Sequence, residues 1–227
     1  MGIRPHILGV AVALCSVDLA TAEPVSELTH RLALSIGFGS TGADVQAAFK
    51  VTPQFVVRAE GDYLEFRDAF KSSDVRYAGR AHLSTWGGYV DWHPFGNAWL
   101  ISGGAAAGRR KIGVAANSLS GTIKINGVTY TASQIGSVQG RVDLGDAAPF
   151  VGLGWDNTFT GGGPIGFRAL AGVLIGPTPK VTLTPTGPFA TDPVVLANVA
   201  AEQSSLQRDA RDLQYYPVVQ MGLNYRF

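Results

Sequence analysis

The sequence has little cysteine and little charge, and after its first 22 residues it has no long apolar run. Cys15 is the only cysteine, so a framework of intramolecular disulfides is excluded. Charged residues make up 15% of the chain, and 18 basic against 17 acidic side chains give a net charge of +1. No basic patch indicates nucleic-acid binding, and no acidic tail is present. The low fraction of charged residues, together with 29 glycines and 10% aromatic residues, is unusual for a soluble enzyme.

The start of the chain has the pattern of a secretory signal peptide. Arg4 precedes an apolar stretch over 7–20, and a small-x-small site ends at Ala22. We therefore expect cleavage after Ala22 and a mature protein, residues 23–227, that contains no cysteine. No later run reaches the roughly 20 apolar residues of a membrane helix. An exported chain rich in strand patterns can then span a membrane only as a β-barrel.

Alternation of apolar and polar residues runs through the mature chain, as expected for strands that place successive side chains on opposite faces. The predicted strands cover residues 28–38, 43–51, 55–66, 75–92, 98–109, 138–155, 165–183 and 215–227. They are about eight, and single-chain bacterial barrels have an even number. The sequence therefore predicts one all-β domain, an eight-stranded antiparallel transmembrane β-barrel.

The turns and loops predict how this barrel is oriented. With both chain ends in the periplasm, the short turns near residues 52, 95 and 157 are periplasmic, and the two longest loops fall outside, as barrels require. Trp92, Trp99 and Trp155 flank the short turns and predict an aromatic girdle there.

In the last extracellular loop, Asp192 to Leu213 is predicted to form a short amphipathic helix. Its apolar positions are Leu196, Val199, Leu206, Ala210 and Leu213. The helix would cover the barrel mouth, lie at the outer-leaflet surface, or simply pack on its neighbours.

Charged residues on the third strand predict a polar lumen. Arg58, Glu60 and Asp62 share one face, and on a lipid-exposed face each charge would cost about 2–4 kcal/mol at mid-depth. An eight-stranded barrel is just wide enough for side chains to fill. We therefore predict a paired network of charges that either plugs the lumen or lines a narrow conduit gated by the loop helix. Its predicted members are Arg58, Glu60, Asp62, Arg80, Arg141, Asp143 and Arg168.

The chain resembles the small outer-membrane β-barrels of Gram-negative bacteria, the class that includes OmpA-, OmpX- and OmpW-type barrels. The resemblance rests on the signal segment, the alternating strands, residues 91–96 (DWHPFG), residues 148–155 (APFVGLGW) and the terminal strand. It implies an outer-membrane location, and contact with outer-membrane lipid and lipopolysaccharide. It also implies that Tyr225 and Phe227, at the end of the chain, form the signal read by the barrel-assembly machinery. The helical last loop departs from the simplest barrels of this class, so their functions are not carried over.

The sequence predicts a passive function. We expect a monomer without cofactor, metal or nucleic-acid partner, which serves envelope structure or the passive binding and passage of small solutes. His30, His82 and His93 are too scattered to form a metal site. One alternative is surface adhesion through the extracellular loops.

A second alternative is a lipid-modifying enzyme, although we predict no enzymatic activity. His82-Leu83-Ser84 resembles the His-x-Ser pair of lipid A deacylases, and residues two apart share a strand face. The pair has the same register as Arg80, which predicts that it faces the lumen rather than the lipid.

Overall fold

The computed structural model describes residues 30–72, 75–118 and 122–227. The predicted signal peptide and the first residues of the first predicted strand lie outside these ranges. The strands are β1 (Leu32–Gly39), β2 (Gly42–Lys50), β3 (Phe55–Ser72), β4 (Val75–Trp92), β5 (Trp99–Ser118), β6 (Thr122–Ile125), β7 (Val128–Thr131), β8 (Ser137–Asp143), β9 (Ala147–Asp156), β10 (Ile165–Ile175), β11 (Lys180–Pro185) and β12 (Tyr215–Arg226). The helices are α1 (Ala132–Ile135), α2 (Pro193–Asp209) and a 3₁₀ helix (Ala210–Gln214).

Eight of these strands form a closed antiparallel barrel, as the sequence predicts. Their order is β5-β4-β3-β2-β1-β12-β10-β9, and β9 pairs back with β5 to close the ring. The first and last strands are neighbours, with Leu34 opposite Tyr225. Both ends of the barrel sequence therefore lie at the end where the short turns are. The long connections leave from the other end, which is extracellular by the usual rule for such barrels.

Side-chain polarity is reversed relative to a soluble protein. On β3, Arg58, Glu60 and Asp62 are buried, whereas Val57 and Tyr63 on the alternate face are exposed. Large apolar residues are exposed on every barrel strand; Ile36 on β1 is 68% exposed and Leu153 on β9 is 62% exposed. An apolar outer surface of this extent matches lipid rather than water. The protein is an integral outer-membrane barrel.

Aromatic side chains ring the short-turn end of this surface. The Phe55 and Trp92 rings stack with centroids 6.5 Å apart, and Trp99 and Trp155 meet edge to face at 5.5 Å. Such rings concentrate where the bilayer meets water. They form the aromatic girdle expected from the sequence.

Among the described residues, no helix is long and apolar enough to cross a membrane.

Strands β8 and β11 extend the wall of the barrel beyond its rim. The first part of β5, from Trp99 to Ala107, pairs with β9. From Lys111 onward, β5 pairs with β8 instead. Strand β11 pairs with the other edge of β8. The prediction of single unbroken strands over 138–155 and 165–183 is therefore wrong, because each one breaks where it leaves the barrel.

The break between β8 and β9 is held by glycine and by a buried arginine. Gly145 has φ +82°, a conformation that favours glycine, and a Cβ there would lie 2.4 Å from Pro177. The Arg110 guanidinium donates from Nη2 to the Leu144 and Ala147 carbonyls at 3.0 and 3.3 Å, and from Nε to the Gly145 carbonyl at 3.2 Å. Arg110 thus satisfies carbonyls that have lost their strand partners.

A small second core stabilises this extracellular extension, which comprises β6, β7, α1, β8, β11 and α2. The hairpin β6–β7 turns through Asn126 and Gly127, both with positive φ, as an Asn-Gly turn allows. The apolar residues of the core come from the hairpin, both helices and β8. They are Ile123, Ile125, Tyr130, Ile135, Val138, Val195 and Val199.

Helix α2 forms where the sequence predicts a helix, and Asp192 caps it by accepting hydrogen bonds from the Val194 and Val195 amides. Its packing face agrees with the prediction only in part. Val199 and Ala210 are buried as predicted, but Leu196, Leu206 and Leu213 are exposed, and Val195 is buried although it was not predicted. One and two turns beyond Val199 on the same face, Gln203 and Gln207 accept hydrogen bonds from the Leu183 and Val181 amides, respectively. The helix therefore protects the free edge of β11.

Candidate functional site

The barrel lumen is organised around Arg58, which is 2% exposed. Its Nε donates to Asp91 Oδ2 at 3.0 Å and its Nη2 to Ser102 Oγ at 3.3 Å, while Nη1 pairs with Glu60 Oε2. The guanidinium also lies 4.3 Å from the centre of the Tyr89 ring, which is its register partner on β4. A planar guanidinium can make all these contacts together.

The acidic partners of Arg58 have further donors of their own. Ser102, opposite Asp91 in the β4–β5 register, donates its hydroxyl to Asp91 Oδ1 at 2.5 Å. Glu60 accepts from Gln220 Nε2 at 2.7 Å. A second cation is close to Glu60, because Arg168 Nη2 lies 3.8 Å from Glu60 Oε2. Asp91 and Glu60 therefore each have a charged partner and a neutral donor, which is the condition under which buried charge is tolerated.

Two more carboxylates complete the lumen network, which consists of Asp44, Gln46, Arg58, Glu60, Asp62, Asp91, Ser102, Arg168 and Gln220. Asp62 accepts from the hydroxyls of Thr41 and Thr85 at 2.7 and 3.1 Å. Asp44 accepts from Gln46 Nε2 at 2.6 Å, and Gln46 in turn accepts from Arg168. The network joins strands on both sides of the barrel, because Arg168 on β10 reaches Gln46 on β2.

The rest of the lumen cross-section is apolar. The Tyr89 and Phe150 rings pack at right angles with centroids 5.4 Å apart. They form one cluster with Leu100, Ala106, Ala148, Leu170, Leu174 and Val218. Tyr89 contacts both the apolar cluster and the lumen network, because the Arg58 guanidinium packs over its ring. The polar and apolar halves therefore meet across the lumen.

A cavity of only about 10 Å³ remains between the two halves. It is bounded by Arg58, Asp62 and Gln220 on the polar side and by Phe150 and Leu174 on the apolar side. A single water molecule needs roughly 10–15 Å³ of such volume. At this level the lumen is filled by side chains.

The periplasmic end of the lumen is covered by the turn that joins β9 to β10. Thr158, 2% exposed, donates its amide to Asp156 Oδ1 at 2.8 Å, and its hydroxyl accepts a hydrogen bond from Asn224. Phe159 packs against the cluster of Ala33, Ala48 and Val56. The turn thus folds inward as a second layer of packing.

Of the seven residues that the sequence predicts for the lumen, four lie inside the barrel and three lie elsewhere. Arg58, Glu60, Asp62 and Arg168 lie in it, but Arg80, Arg141 and Asp143 do not. On β4 the buried residues are odd-numbered, among them Leu83 and Thr85, so Arg80 faces outward. Arg141 and Asp143 are on β8, which has already left the barrel.

Sequence reasoning missed Asp91, although a signal for it was available. Asp91 has the opposite parity to Trp92, and a girdle tryptophan must face lipid, so Asp91 must face inward. Ser102, Gln46 and Gln220 carried no such signal, because uncharged polar residues are common on either face.

The predicted lumen position of His82 and Ser84 is also wrong. Both are even-numbered on β4 and share the outward face with Trp86, and Glu65 on β3 lies opposite His82 in the register. The Glu65 carboxylate accepts from Arg67 Nε at 2.8 Å and from the Tyr63 hydroxyl at 2.9 Å. Over the described residues, no hydrogen bond joins His82 to Ser84 or to Glu65.

The terminal aromatic pair is exposed on the outer surface. Tyr225 and Phe227 are 51% and 47% exposed, and their rings meet edge to face at 5.3 Å. The Phe227 amide donates to the Leu32 carbonyl at 3.2 Å, so residue 227 is held beside the first strand.

Among the described residues, no group of three or more His, Cys, Asp or Glu side chains is arranged to hold a metal ion.

Comparison with solved structures supports the architecture. The chain is similar to CarO2 of Acinetobacter baumannii, with a TM-score of 0.62 and 16% identity over 86% of this chain and 98% of that one. It is similar to CarO of the same organism, with a TM-score of 0.61 and 16% identity over 87% of this chain and 97% of the other. At this identity the likeness concerns the fold. No protein-family profile matches the sequence, and no curated protein sequence matches it.

Proposed function

We propose that the protein is a structural element of the outer membrane whose barrel is permanently closed, and that no solute passes through its lumen. The observation that carries this proposal is the close packing between the polar and apolar halves of the lumen, where the cavity measures about 10 Å³. Side-chain packing from opposite walls, rather than a loop inserted from outside, accounts for the closure.

The energetics of the lumen network support a permanent plug over a gate. Opening a path beside Arg58 would separate it from Glu60 or Asp91, and breaking one buried pair costs about 3–5 kcal/mol. Helix α2 is a poor candidate for the gate because its buried residues, Val195 and Val199, belong to the core of the extension.

Solute flux through the mature protein in liposomes tests the proposal. The wild type should release an entrapped small sugar no faster than protein-free vesicles. The variant Val195→Asn with Val199→Asn loosens α2 and should leave flux at that same level. Tyr89→Ala with Phe150→Ala removes the aromatic layer and should raise flux, which shows that the assay detects an opened lumen. Flux through the wild type, or flux that appears only when α2 is loosened, would contradict the plug.

A lipid-modifying enzyme is the second candidate, because His82 and Ser84 face the lipid side and Glu65 lies opposite His82. A serine nucleophile needs a histidine within hydrogen-bond reach and a carboxylate to orient that histidine. In the structure, Arg67 and Tyr63 hold the carboxylate instead. We expect the lipid A of host cells to have the same acyl chains whether they express the wild type, His82→Ala or no protein. An acyl chain lost only in the presence of His82 would establish catalysis.

A further inference from the structure

A basic groove lies on the outward face where the barrel wall continues into the extension. It has a volume of about 1010 Å³. Five cationic side chains line it: Arg67, Arg80, Arg109, Lys111 and Arg141. They come from β3, β4, β5 and β8, so residues far apart in sequence meet on one surface.

The strand register explains how these side chains meet. In one row across the sheet, Arg67 lies opposite Arg80, Arg80 opposite Gly113, and Gly113 opposite Arg141. Adjacent strands are about 4.8 Å apart. Gly113 therefore leaves the floor of the groove bare between two arginines, with room for a group that both can reach.

The groove has more positive charge than its carboxylates can neutralise. Lys111 and Asp143 are opposite each other in the next row, with Lys111 Nζ 3.3 Å from Asp143 Oδ2. Arg67 is paired with Glu65, which is also in that next row. Over the described residues, Arg80, Arg109 and Arg141 have no carboxylate within ion-pair distance. Guanidinium groups bind phosphate in a bidentate manner, so three arginines without acidic partners on one wall match an anionic ligand.

The position of the groove identifies the source of that anion. On the outward faces of β3 and β4, Tyr63 and Trp86 lie on the periplasmic side of the groove. The apolar belt continues from them to Phe55 and Trp92 at the short-turn end. The belt from Phe55 to Tyr63 spans eight residue-to-residue steps, which is about 26 Å along the strand and about 20 Å along the membrane normal for the usual tilt. The groove therefore begins where the acyl chains of the outer leaflet end and their headgroups begin.

We propose that this basic groove binds the phosphorylated headgroup of an outer-leaflet glycolipid, with Arg80 and Arg141 holding phosphate across Gly113. The acyl chains of the bound lipid then run down the belt beside Trp86. This site is on the outer wall, so it depends on the orientation of the barrel and not on whether the lumen is closed.

Native mass spectrometry of the detergent-solubilised mature protein tests the site, with bisphosphorylated lipid A and its dephosphorylated form as probes. The wild type should bind the bisphosphorylated form at least about tenfold more tightly, as expected for charge-assisted hydrogen bonds. The double variant Arg80→Gln with Arg141→Gln should lose this preference. Lys124→Gln with Arg208→Gln removes two cations outside the groove and should keep it.

A second pair of variants separates the groove from general electrostatic attraction. A Cβ on Gly113 would meet its nearest atoms at 3.8 and 3.9 Å, so Gly113→Leu should fill the floor without straining the strand and should abolish binding. Gly103 is on the belt of the same strand with no atom within 4 Å of a Cβ, and Gly103→Leu should bind normally. The heat-modifiable gel shift shows that each variant is folded.

Three results would overturn the proposal. Equal binding of the dephosphorylated lipid would show that phosphate is not recognised. Undiminished binding by Gly113→Leu would place the lipid elsewhere. Displacement of the lipid by an equal concentration of inorganic phosphate would identify a site for a free anion instead.

Discussion

Replacing Arg58 with methionine should destabilise the barrel by about 3–5 kcal/mol, the cost of breaking a buried ion pair. Methionine keeps most of the apolar volume of the side chain but removes the guanidinium. Asp91 then retains the Ser102 hydroxyl, and Glu60 retains Gln220 and the more distant Arg168. Two carboxylates that share one cation thus lose it in a site from which water is excluded.

Equilibrium unfolding in urea measures this effect, with the protein in lipid vesicles and tryptophan emission as the signal. The midpoint should fall while the slope stays unchanged, because the area exposed on unfolding is the same. Arg208→Met, on the exposed side of α2, is the matched control and should change stability by no more than about 0.5 kcal/mol.

The double variant Arg58→Met with Asp91→Asn identifies the cause of the loss. Neutralising the orphaned carboxylate should recover about 1–3 kcal/mol, which is the coupling expected between residues in contact. A loss below about 1 kcal/mol in Arg58→Met, or no recovery in the double variant, would refute the claim that charge pairing holds the lumen network together.

Three further perturbations test other parts of the structure. Arg110→Leu leaves the carbonyls of the β8–β9 break unpaired and should cost about 1–3 kcal/mol; an unchanged urea midpoint would contradict its role. Asp192→Ala removes the cap of α2 and should weaken the helix by about 1 kcal/mol, seen as faster amide hydrogen exchange in α2 but not in the barrel strands. Deleting Phe227 should reduce the heat-modifiable protein in the outer membrane, and normal accumulation would argue against a terminal assembly signal.

The barrel could be predicted from the sequence because a single physical rule governs each of its strands. Alternating side chains must divide between lipid and lumen, and a charge such as Arg58 on the lipid side is costly. That rule identified the strands and the face of β3 that points inward. It also identified the girdle, since Trp92 and Trp99 adjoin short turns.

The same rule led to the errors on β4 and β8. The rule predicts that a charged residue avoids the outer face, but Arg80 lies on the extracellular side of the apolar belt, where headgroups and water accept charge. The prediction for Arg141 fails because residues 138–155 form two strands rather than one. The turn-forming residues Gly145 and Pro177 were visible signals of the break.

The contacts within the lumen network could not be predicted, because they depend on register and barrel closure. Asp91 is 33 residues from Arg58, and Gln46 is 122 residues from Arg168. No local pattern links such pairs. Part of the packing face of α2 could not be predicted for a related reason, since Gln203 and Gln207 are polar residues whose partners are amides on the edge of β11.

Tryptophan quenching in brominated lipid tests the inside-out barrel most directly. All four tryptophans, Trp86, Trp92, Trp99 and Trp155, lie on the outer surface and are between 40% and 69% exposed. In vesicles of lipid brominated on the acyl chains, the emission of single-tryptophan variants that retain Trp86, Trp92, Trp99 or Trp155 should be strongly quenched relative to unbrominated lipid. Emission that is equal in the two lipids would place these side chains away from the acyl chains and contradict a membrane-spanning barrel.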